Sequence, residues 1–200
     1  MSLGEMIGDA YGMARRIAEA GVSDAKSRNL PQLLRMDLVR FCIYLAFADR
    51  ELTQSEAAFI RDTFDYPVSW ENRNALVKAV GADTGYGSEV PGSFKYFVLA
   101  DAGQRVKNDP DRHRKTRKLL SLYGELGRSL LAVKDDTGPE GTVALSAYTA
   151  MLEEFMGRYG LGINKNLSVT PPKKSGQKAA EKGAETPEKS VYRLRPGSAP

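Results

Sequence analysis

The chain has 200 residues, 27% of them charged, one cysteine and a formal net charge of +4, which suits one domain with a real core plus a polar extension. The lone cysteine excludes an internal disulfide framework and implies a reducing compartment, with the cytoplasm as the expected location. No apolar run reaches the roughly 18 residues of a membrane span, and the start MSLGEMIGDAYGMARRI lacks the basic onset and apolar core of a secretory leader.

Met6, Ala10, Met13, Ala14 and Ile17 recur at helical spacing, predicting an amphipathic helix over 4–20 closed by Gly21. With a polar linker it makes residues 1–28 a peripheral N-terminal segment. Asn29 as cap and Pro31 in the first turn open a second helix, whose inner stripe is Leu34, Leu38, Phe41, Cys42, Leu45 and Ala48. From Phe41 to Ala48 only the Tyr44 hydroxyl is polar, so this helix must be covered on all sides. An acidic turn, Asp49-Arg50-Glu51-Leu52, follows. Thr53 and Glu56 then have the spacing of a capping box that starts a third helix over 54–64, with Ala57, Ile60 and Phe64 inward.

Pro67 breaks that helix, and Ser69 caps a short one over 70–80 with Leu76, Ala79 and Val80 inside. Residues 81–92, GADTGYGSEVPG, form the longest loop and read as a connector. A helix over 94–106 carries Phe97, Val98 and Asp101 on one side. Asp109 as N-cap, Pro110 and Asp111 mark the next start, ahead of a stripe of Leu119, Tyr123, Leu126, Leu130 and Val133. Gly124 and Gly127 on that helix allow another to approach closely. After a turn over 134–139, a last helix over 140–159 sets Ala144, Ala147, Tyr148, Met151, Leu152, Phe155 and Tyr159 on one face, and Gly160 stops it. Nothing alternates with period two, so the fold expected is all-α, a compact bundle of about six to seven helices.

Residues 164–200 hold eight Lys and Arg against three Glu and almost nothing to bury, which predicts a disordered basic tail rich in Pro, Lys and Gly. The tail's net +5 leaves −1 for residues 1–163, the expected folded domain. Basicity therefore belongs to the tail. Within the domain it is local, in Asp111-Arg112-His113-Arg114-Lys115-Thr116-Arg117-Lys118, where cations crowd the unfavourable end of a helix dipole at about 0.3–1 kcal/mol each. Although the residues favour the bland alternative of a solvated helix face, such a run suits an acidic partner or phosphate. Arg112, Arg114, Lys115, Arg117 and Lys118 are therefore candidate partner-binding residues, joined by Tyr192, Arg193 and Leu194 of the tail as a short docking motif. The run lacks the interleaved aromatics usual for nucleic-acid binding.

Asp49, Glu51, Thr53 and Ser55 imitate the odd positions of a calcium loop, but Gln54 stands where that loop needs glycine and Ile60 where it needs glutamate. The bland alternative is that these acids serve the third helix as cap and dipole partners. His113 is the only histidine, no G-x-S-x-G is present, phosphate-loop and dinucleotide fingerprints are absent, and Cys42 lies in an apolar run. The chain is not expected to be an enzyme.

The hairpin 44–60 has an echo near 130–148: an apolar helix end, an acidic turn and a second amphipathic helix. The bundle is thus expected to contain two αα-hairpin units. Tyr44-Leu45-Ala46-x-x-Asp49-x-Glu51-Leu52-x-x-x-Glu56 resembles the pattern of the tellurite-resistance TerB-like domains, and is similar to the amino-terminal helical domain of membrane-anchored DnaJ-like co-chaperones. Ser88-Glu89-Val90-Pro91 and Val98-Leu99-Ala100-Asp101 resemble a bacterial branch in which such a domain accompanies an AAA-type ATPase. The resemblance spans roughly residues 33–159. It implies a helical adaptor in stress-response complexes, without catalysis, or a divalent-cation binder using Asp49, Glu51 and Glu56. This sequence departs from the family at Arg50, where the family has glycine. It departs again at Lys134 and Gly141, where the second hairpin would repeat the acids. The reading expected first is a protein-interaction module. Divalent-cation binding at the acidic turn is second, and nucleic-acid or anionic-membrane binding through the basic helix and tail is third.

Overall fold

The helical stripes assemble around the helix that has no polar face. The computed structural model describes residues 1–22, 29–49, 51–72, 74–75, 86–103, 114–134 and 138–161, all within one compact unit, Met1–Lys165. Among the described residues there are six α-helices and no strand: α1 (Leu3–Glu19), α2 (Leu30–Ala46), α3 (Gln54–Phe64), α4 (Gly92–Gly103), α5 (Lys115–Ala132) and α6 (Pro139–Arg158). The expected tail, Arg50 and residues 104–113, with the Asp109 start and His113, lie outside them.

Several local signals act as the residues require. Asn29 accepts from the Gln32 amide at the head of α2. Thr53 and Glu56 close a reciprocal capping box on α3, and Gly21 takes the left-handed conformation (φ 66°) that ends α1. A second capping box, Ser2 with Glu5, starts α1 one residue earlier than its apolar spacing shows.

α2 touches all five other helices and buries Leu34, Leu38, Phe41, Cys42, Ile43 and Leu45. Around Phe41 the rings of Tyr123 and Tyr148 lie 5.0 and 4.8 Å away, Tyr123 and Tyr148 are 5.8 Å apart, and Phe94 reaches Tyr123 at 6.2 Å. This aromatic hub ties α2, α4, α5 and α6 together, at about 0.5–1.5 kcal/mol per ring pair beyond area burial. α4 is a second helix covered nearly all round, with Phe94, Tyr96, Phe97, Val98 and Ala100 buried.

The expected 70–80 helix opens with a 3-10 turn, Trp70–Asn72, and residues 74–75 are helical, while Leu76, Ala79 and Val80 lie outside the described residues. Two expectations need correction. α5 opens at Lys115, with Arg114 at the cap position and no cap from a local side chain, because its N-terminus is held by an acid from another helix. The face of α6 is rotated: Gly141, Leu145, Tyr148, Leu152 and Met156 are buried, whereas Ala147 is exposed and Tyr159 is 44% exposed. α6 is apolar over a wide arc, and close contact with α5 selects the buried edge. A Cβ on Gly127 would lie 2.5 Å from Leu145 and 3.1 Å from Leu45, and one on Gly141 would lie 2.4 Å from Leu131. Gly124 faces no such neighbour, only the Arg128 side chain of its own helix at 3.5 Å.

The described end of the 81–92 loop packs inward. Its 3-10 turn, Tyr86–Ser88, lies against α6, and a Cβ on Gly87 would be 2.6 Å from the Tyr44 ring. Only glycine permits that approach.

Candidate functional site

Two places draw the candidate residues together: the acidic turn after α2 and the basic start of α5. At the turn, Asp49 is exposed on its outer side and paired to Lys134 on the inner. Lys134 occupies, in the second hairpin, the position matching Asp49 in the first. The two hairpins therefore meet as acid against base, and the ammonium sits where a bound cation would be wanted. The other Asp49 oxygen accepts the Glu51 amide at 3.1 Å, and Glu51 itself is exposed.

Glu56 is 1% exposed. Its Oε2 accepts the Thr53 amide at 2.9 Å and hydroxyl at 2.8 Å, while Oε1 has no protein partner. Burial raises its pKa, the Thr53 hydrogen bonds lower it and the Glu51 charge raises it again. Glu56 lines a cavity of about 20 Å³ with Asp49, Lys134 and Thr142, room for about one water. Asp49 and Glu56 thus share a cavity and Glu51 stays outside it. Among the described residues no group of three or more His, Cys, Asp or Glu is arranged to hold a metal ion.

At the start of α5 the expected basic run divides. Lys115 turns inward: it is 2% exposed, with Nζ 3.2 Å from Oδ1 of Asp101. Asp101 Oδ2 accepts both the amide and the hydroxyl of Thr116 at 2.8 Å. A carboxylate on α4 thereby caps α5 and neutralises its first lysine. The same device recurs one helix earlier, where buried Asp37 on α2 accepts the amide and hydroxyl of Ser93 at 2.8 and 2.7 Å, capping α4. Burial raises the Asp37 pKa and Ser93 draws it back. These cross-helix caps are the residues that sequence reasoning missed as a set; their only local signal is a Ser or Thr at the second position of a helix lacking its own cap.

Arg114, Arg117 and Lys118 remain on the surface. Together with Ser121 they form one wall of a groove of about 350 Å³. The opposite wall comes from α1 and the residue ahead of it: Met1, Met6, Met13 and Asp9, with Lys118 reaching Asp9 at 2.9 Å. Met13 is buried at 1% exposure, whereas Met6, expected in the core stripe, is half-buried and lines the groove, with Ile7 taking the core position. Arg112, Tyr192, Arg193 and Leu194, the other partner candidates, lie outside the described residues.

No family model, curated protein or solved structure matches this chain.

Proposed function

We propose that this protein is a non-catalytic, TerB-like helical interaction module that docks a protein partner along the groove between α1 and α5, acting as an adaptor in a bacterial stress-response or ATPase-associated assembly. The carrying observation is the groove itself: methionine walls beside a rim holding Arg114, Arg117 and Lys118. Methionine is flexible and polarisable and suits surfaces that accommodate a partner's side chains. Supporting the non-catalytic side, the buried carboxylates among the described residues, Asp37, Glu56 and Asp101, each accept hydrogen bonds at a helix N-terminus. The Cys42 thiol is sealed in the core, its pKa pushed far up by burial. The acidic turn supports the reading less, because Lys134 already compensates Asp49. No described helix is long and apolar enough to cross a membrane.

A photo-crosslinking residue at Ser121, inside the groove, tests the reading against one at exposed Glu154 on α6. Discrete protein adducts at position 121 and none at 154 are expected in the native host. The same adducts from both positions would refute it. Repeating the capture without residues 164–200 tests the tail, and unchanged partners would remove Tyr192, Arg193 and Leu194 from the account.

A further inference from the structure

We draw no further inference here: the strongest candidate, the small cavity between the two hairpins that the buried Glu56 carboxyl lines together with Asp49 and Lys134, belongs to the acidic turn already described and shows no ligand chemistry of its own.

Discussion

Replacing Asp101 by alanine tests a buried side chain that holds two helices at once. Asp101 and Lys115 are 1% and 2% exposed as side chains, Nζ lies 3.2 Å from Oδ1, and Oδ2 holds the Thr116 amide and hydroxyl at 2.8 Å. Truncation strips a buried ammonium of its counter-charge, a loss of about 3–5 kcal/mol, and uncaps α5, about 1 kcal/mol. One carboxylate serves both roles and Lys115 has a further interaction, so the effects overlap, and about 3–4 kcal/mol is expected rather than their sum. At about 2–4 °C per kcal/mol for a domain of this size, Tm should fall by about 6–16 °C. Urea denaturation followed by far-ultraviolet circular dichroism gives the free energy. Asp101→Asn keeps an acceptor for Thr116 but loses the charge, and should fall between wild type and alanine. Adding Lys115→Met to Asp101→Asn removes both charges and should recover part of the loss. A cost below about 1 kcal/mol for Asp101→Ala, or no recovery in the double variant, would refute the claim that this buried pair holds α4 to α5.

The two glycines of α5 should respond with opposite signs. Gly124→Ala meets only the Arg128 side chain and should stabilise by up to about 1 kcal/mol through helix propensity, whereas Gly127→Ala drives a Cβ into Leu145 and Leu45 and should end about 1–3 kcal/mol below the Gly124 variant; equal urea midpoints would contradict the close α5–α6 packing. Burial lifts Glu56 above its ordinary 4.5, so the folded state binds that proton more tightly than the unfolded one. The resulting stability is complete below the unfolded value and is lost as pH rises through the folded one. Glu56→Gln should therefore gain on wild type as pH climbs from 4.5 toward neutral, and a difference that is flat with pH would count against the reading. For Asp49 and Lys134, 29% and 12% exposed, a double-mutant cycle with alanine should give a coupling of about 1 kcal/mol that shrinks in high salt; no coupling would mean that the two hairpins are not joined there.

The basic half of the candidate site was legible as a charge run, but its division was not. Lys115 and Arg117 lie two residues apart on one helix, and one is sealed against Asp101 while the other faces solvent. A count of cations carries no information about which points inward. The groove was less legible still: Met6 fits the apolar period of α1 as well as Ile7 does, and only the placement of α5 leaves it lining a surface recess. The acidic turn was legible as a cluster of carboxylates, and its pairing to Lys134, 85 residues away, was not.

What the chain determined by itself was local. Asn29, Thr53 with Glu56, and Gly21 work through partners at most three residues away, and the all-apolar stretch of α2 required cover whatever the arrangement of the rest. Tertiary structure decided the matters that join distant residues: the caps from Asp37 to Ser93 and from Asp101 to Thr116, 56 and 15 residues apart, the buried edge of α6, and the groove. Periodicity reports the angle of a side chain about its own helix axis. Which neighbour occupies that angle is set only when the helices pack, by where glycines let backbones close and where buried charges find partners.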